Sequence, residues 1–166
     1  MKIRTEHQNL GAALMQIAEH DSFTAINPLR IRANRINNAF LINTDTCLFL
    51  KYGQEPKATT GEYQFTYTRD QLAPIRESAG IYANVFVALV CVEDQEICGL
   101  TYGQLMQMID ARRETAGAEE ENYTILVTAN ADRRLRTYTA AANRRRVKAL
   151  APLVISRSRF PSFLFD

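Results

Sequence analysis

The run Val85-Phe-Val-Ala-Leu-Val-Cys-Val92 constrains this chain most, because it is apolar at odd and even positions alike. Side chains alternate between the two faces of a strand, so such a run belongs in the centre of a sheet covered on both sides. Asp94-Gln95 then turns it back into Ile97-Cys-Gly-Leu-Thr101. The covering layers are supplied by three segments with helical spacing. Leu10, Ala13, Leu14 and Ile17 fall on one face; so do Leu72, Ile75, Ala79 and Tyr82, and so do Leu105, Met108 and Ile109. Each follows a Thr-x-x-Gln sequence, at Thr5–Gln8, Thr68–Gln71 and Thr101–Gln104. That is the form of a capping box, in which hydroxyl and amide satisfy orphan backbone donors reciprocally. Pro74 fits the second helix with least cost if Asp70 is its cap, and the third helix should end near Gly117.

Between the first two helices the pattern has period two. Pro28–Arg35 alternates Leu29, Ile31 and Ala33 with Arg30, Arg32 and Asn34, as a strand with one wet face does. Ala39–Asn43 and Cys47–Tyr52 flank Thr44-Asp45-Thr46 as a hairpin, and Tyr63–Thr68 reads as a further strand. After the helix ending near Gly117, Glu119, Glu120 and Glu121 mark a solvated turn, and Tyr123–Thr128 and Leu135–Thr139 read as strands. From Ala140 to Leu150 a second hairpin and a short helix compete, since Tyr and β-branched residues favour the first and Ala140-Ala-Ala142 the second. The apolar end, Phe160 to Asp166, should pack on the core or on another subunit. The expected fold class is therefore α/β with a mixed sheet: helix, antiparallel meander, crossover helix, buried central strand and a β-rich C-terminal extension. At 166 residues and 46% hydrophobic composition, one domain needs no disulfide or metal as a staple, with a core over 1–117 and an extension over 118–166 packed on it.

Other features narrow the class. No apolar run reaches the length of a membrane-spanning helix, and no secretory stretch precedes the first helix, so a cytoplasmic protein without a membrane partner is expected. Cys47, Cys91 and Cys98 lack Cys-x-x-Cys spacing and sit in apolar stretches, as buried reduced thiols do. His7 and His20 do not share a helix face at metal-ligand distance, and Glu93, Asp94 and Glu96 surround a turn, so neither group is expected to bind a metal. The formal net charge of +2 conceals a division. Residues 1–132 hold 11 basic and 17 acidic side chains, a balance of −6, whereas residues 133–166 hold 9 basic and one acidic, a balance of +8.

The element order over residues 1–101 resembles the core of the restriction-endonuclease-like superfamily, the PD-(D/E)xK nucleases, and most nearly the archaeal Holliday-junction resolvases. The likeness is concentrated in Thr46-Cys-Leu-Phe-Leu-Lys-Tyr52, Thr68-Arg-Asp-Gln-Leu72 and Val85–Val90. In that family a strand carries an acid two positions before a lysine, a second acid lies earlier, and a glutamine often begins the crossover helix. The carboxylates hold a divalent cation that polarises the phosphodiester, and the lysine positions the attacking water. Lys51 and Gln71 match the lysine and the glutamine. Phe49 stands at the strand acid and Asn38 near the earlier one, so the resemblance implies a degenerate motif with no catalytic residue and no cofactor. An atypical Mg²⁺-dependent nuclease would have to recruit Asp45 or Glu6 to work with Lys51 and Gln71. The plainer role of Lys51 is a strand residue whose stem covers apolar surface, and that of Gln71 is capping.

Arg133, Arg134, Arg136, Arg144, Arg145, Arg146, Lys148, Arg157 and Arg159 make up the basic part. Guanidinium groups pair with phosphates through two donors, and a concentrated positive charge releases counterions from a nucleic-acid backbone. Tyr138, Tyr63, Phe65 and Tyr67 would offer stacking surfaces for bases. The alternative is a solvated basic face that pairs with the acidic part, within one chain or across a homodimer; a peptide or anionic-ligand site is a third use of the same charge. Three functions are consistent with the sequence. One is a non-catalytic DNA- or RNA-binding or accessory protein with a degenerate nuclease-like fold. The others are a structural or interaction protein forming a homodimer, and the atypical nuclease.

Overall fold

The computed structural model describes residues 1–142, 144 and 146–166, and it shows a mixed α/β fold. A five-stranded sheet has the order β1-β2-β3-β5-β6, from Ile26–Ile31, Asn34–Ile42, Thr46–Gly53, Asn84–Cys91 and Glu96–Thr101. All its pairs are antiparallel except the central β3 and β5, which run parallel from Thr46 beside Asn84 to Gly53 beside Cys91. A second, antiparallel sheet has the order β4-β7-β8-β9, from Glu62–Thr68, Asn122–Thr128, Leu135–Tyr138 and Leu153–Ile155. Helices α1 (Thr5–Ala18), α2 (Arg69–Ile81) and α3 (Tyr102–Ala116) complete the order. The strand Tyr63–Thr68 thus leaves the meander and joins the C-terminal strands, pairing with β7 along its whole length.

The central run is covered on both faces, as its composition demands. Val85, Val87 and Leu89 pack into a cluster with Leu72 and Ile75 of α2, with Leu105, Met108 and Ile109 of α3, and with the inner face of the second sheet. Ala88 and Val90 pack on the other side with Leu10, Ala13 and Ile17 of α1 and with Phe160, Phe163 and Leu164. The apolar C-terminal segment is therefore seated on its own chain. Gly99 of β6 makes the seat, because a Cβ there would lie 2.6 Å from the Phe163 ring.

Two capping boxes form. Thr68 accepts from the Gln71 N–H at 3.2 Å while Gln71 Oε1 accepts from the Thr68 N–H at 3.0 Å, and Thr101 and Gln104 do the same at 3.1 Å each way. The third does not. Thr5 is already helical and Arg4 holds the extended cap position, where its N–H donates to His7 Nδ1 at 3.2 Å in place of a glutamine. With Thr68 as cap, Pro74 lies inside α2 and leaves the Asp70 carbonyl without its helical donor. Gly117 ends α3 in the left-handed conformation at φ 76°, which glycine adopts without steric cost.

The segment Pro28–Arg35 is not one strand. Its alternation runs through a two-residue turn at Arg32 and Ala33, with φ of 50° and 65°, joining β1 to β2. Neither residue is a usual type I′ turn former, so periodicity carried across the turn unbroken. Among the described residues between Ala140 and Leu150 the pairing is that of the hairpin alternative: Ala140 bridges Lys148, and the Ala141 N–H donates to the Val147 carbonyl at 2.7 Å. Among the described residues no helix is long and apolar enough to cross a membrane.

Candidate functional site

A cleft of about 460 Å³ opens between α2, the β1–β2 hairpin and the exposed end of β3. Its shape follows from a bulge. Pro28 pairs with Phe40 and Arg30 pairs with Arg35, so two steps along β1 oppose five along β2. The three surplus residues Ile36–Asn38 pair with neither neighbouring strand, and Asn38 takes φ 55°, a conformation asparagine tolerates better than most residues. Arg35, Asn37 and Asn38 thereby line the cleft opposite Asp70 and Gln71, with Phe49, Tyr67 and Ile75 as apolar wall. Lys51 lies two residues after Phe49 and shares its face.

The lysine is half-buried. Its Nζ donates to Gln71 Oε1 at 3.3 Å and sits 4.9 Å from the centre of the Tyr67 ring, over its face. Burial lowers the Lys51 pKa below the ordinary lysine value. Gln71 is fixed in turn by its capping bond to the Thr68 N–H, so the same oxygen that closes the helix receives the ammonium. One carboxylate, Asp70, faces two cationic side chains, Arg35 and Lys51, so the cleft favours anions.

Lys51, Gln71 and Asn38 therefore meet, with Phe49 beside them, whereas the two carboxylates considered for a metal do not join. Asp45 is exposed in the β2–β3 turn, where it accepts from the Thr46 hydroxyl at 3.3 Å. Six residues of strand, about 20 Å, separate it from Lys51. Glu6 belongs to α1, which packs on the opposite face of the sheet. Among the described residues no group of three or more His, Cys, Asp or Glu side chains is placed to hold a metal ion. Asp70 and Arg35 escaped the sequence reading. Asp70 was available in principle, since it shares the first turn of α2 with Gln71, but Arg35 reaches the cleft only because of the bulge.

The basic C-terminal part divides by environment. Arg157 is structural: it pairs with Glu96 at 2.8 Å and donates to the Arg133 and Asn130 carbonyls at 2.7 and 2.6 Å. Arg159 donates to Gln104 Oε1 at 2.9 Å and stacks on Phe163, and Lys148 lies over the Tyr138 ring at 4.8 Å. Arg133, Arg134, Arg136, Arg144 and Arg146 are exposed and form no salt bridge among the described residues; Arg145 lies outside them. The acidic turn does not neutralise them. Glu119, Glu120 and Glu121 instead meet Arg113, Arg112 and Arg69 of the helices at 3.7, 2.6 and 3.6 Å. The Arg112 bond depresses the Glu120 pKa.

Arg133 and Arg134 line an open depression of about 610 Å³ with Ser156 and Ser158, where Asp94 and Asp132 are the acidic side chains. Arg136 projects from the outer face of the second sheet in register with Thr128 and Val154. The aromatic residues considered for stacking turn the other way: Tyr63, Phe65 and Tyr67 are buried in the core. They occupy the inward positions of β4, whose polar residues Gln64 and Thr66 face out. Tyr138 is half-buried, with its hydroxyl donating to Glu62.

Glu96, Asp94 and His20 are engaged by neighbours within the fold. Glu96 holds Arg157, and Asp94 accepts from the Tyr63 hydroxyl. His20 stacks on Phe165 with centroids 4.3 Å apart. All three cysteines are free and buried, and burial pushes the Cys47 thiol up to about 11 and Cys98 to about 12, which keeps them protonated and unreactive. The chain matches no protein-family model, no curated protein and no solved structure.

Proposed function

We propose that this protein binds DNA or RNA without cleaving it, through the exposed arginines of its C-terminal part. The observation that carries this reading is the charge arrangement. The acidic turn is consumed by arginines of α2 and α3, which leaves Arg133, Arg134, Arg136, Arg144 and Arg146 facing solvent with no acidic partner among the described residues. Like charges gathered on one part of a small protein repel one another, and a polyanion relieves the repulsion. The Lys51 cleft supports the non-catalytic half of the reading. It presents a lysine and a glutamine without the paired carboxylates that a divalent cation needs to activate water.

Binding to fluorescently labelled duplex and single-stranded DNA and to RNA, measured by anisotropy from about 50 to 200 mM salt, tests the reading. Five phosphate contacts predict a loss of roughly 500-fold in duplex affinity over that range. Affinity that stays level as salt rises contradicts phosphate-driven contact, and cleavage of any of these substrates with Mg²⁺ or Mn²⁺ contradicts its non-catalytic half.

A further inference from the structure

Lys2, Lys57 and Lys148 are exposed, and Lys51 alone among the lysines is half-buried. Its partners also differ from those of a lysine held for its charge. Among the described residues no carboxylate lies within salt-bridge distance of Nζ, although Asp70 lines the same cleft, and the acceptor it meets is the neutral Gln71 Oε1 at 3.3 Å. Burial disfavours the charged form and lowers the Lys51 pKa, so a larger fraction of this amine is neutral near pH 7 than of an exposed one. The neutral amine is a nucleophile, and desolvation against an apolar wall is one way a lysine is made reactive toward carbonyl groups.

We propose that Lys51 forms a reversible imine with an aldehyde whose flat apolar body lies in the cleft against Phe49, Pro74 and Ile75. The amine lone pair attacks the carbonyl carbon, and one nitrogen proton passes to the carbonyl oxygen. That oxygen takes a second proton from solvent and leaves as water. The iminium nitrogen keeps one N–H and the positive charge. Both contacts that hold the ammonium therefore also suit the product, with the N–H donating to Gln71 Oε1 and the charge staying over the Tyr67 ring. A volume of about 460 Å³ is within the range of small-molecule sites, roughly 300–1,000 Å³, and holds a one-ring aldehyde. No part of this rests on the nucleic-acid reading.

The test uses the full chain at neutral pH with benzaldehyde and sodium cyanoborohydride, which reduces iminium ions in preference to aldehydes. The labelled lysines are then mapped by peptide mass spectrometry. Lys51 is expected to be labelled about tenfold faster than Lys2, Lys57 and Lys148, from its larger neutral fraction and the seating of the ring together. Lys148 is an internal control for ring contact, since it too lies over a tyrosine ring, at 4.8 Å, but is exposed. Acetaldehyde, which has no ring to seat, should show a severalfold smaller preference for Lys51. Labelling of Lys51 at or below the rate of the exposed lysines overturns the proposal, and so does a preference no larger with benzaldehyde than with acetaldehyde.

Discussion

Lys51 holds an uncommon position for a lysine, half-buried with its ammonium drawn between a glutamine oxygen and the face of a tyrosine. Burial lowers its pKa in spite of those two contacts, which both favour the charged ammonium. At the same scale, Gly99 decides whether the C-terminal segment can close the core. Gly99→Ala puts a methyl group 2.6 Å from a Phe163 ring that is itself wedged against Phe86 and Phe160. The expected loss of stability is about 1–3 kcal/mol by urea denaturation, shrinking in the Phe163→Ala background; an unchanged midpoint would refute the close approach. The sequence makes Lys51 and Gln71 recognisable because each is fixed by local order, one on a patterned strand and one in a capping box. Arg35 and Asp70 were not recognisable as cleft residues. Their meeting depends on a bulge and on helix placement, and neither leaves a periodic trace.

At the scale of elements, the boundaries with a chemical signal are the ones periodicity places correctly. Gly117 ends α3, and Thr68 and Thr101 open α2 and α3, because hydroxyl and glutamine at that spacing satisfy the first-turn donors. Thr5 has the same spacing but sits one residue too late, with His7 serving the preceding Arg4. The β1–β2 turn lacks glycine and asparagine, so nothing in the sequence marked where the strand reversed. The caps themselves are testable. Thr101→Ala should cost about 1 kcal/mol of stability and Thr101→Ser much less, measured by chemical denaturation. Equal effects of the two substitutions would show that the hydroxyl is not the stabilising group.

At the scale of the molecule, a net charge of +2 resolves into a body with a balance of −6 and a C-terminal part with a balance of +8, of which Arg133, Arg134, Arg136, Arg144 and Arg146 face solvent. The C-terminal strands do not form a detached extension; β7 pairs with β4 along its full length, which fixes the arginines of β8 and its flanking loops to the core. The charge division was legible from composition, but which cations remain free was not, because Arg157 and Arg159 are committed by contacts distant in sequence. The most direct test of the central claim compares the salt dependence of duplex binding between the natural chain and the triple variant Arg133→Ala, Arg134→Ala, Arg136→Ala, with melting measured alongside. If these arginines contact phosphates, the variant keeps its melting behaviour and its slope of log affinity against log salt becomes shallower by about 3. An unchanged slope and affinity in a folded variant would contradict the assignment of nucleic-acid binding to this part of the molecule.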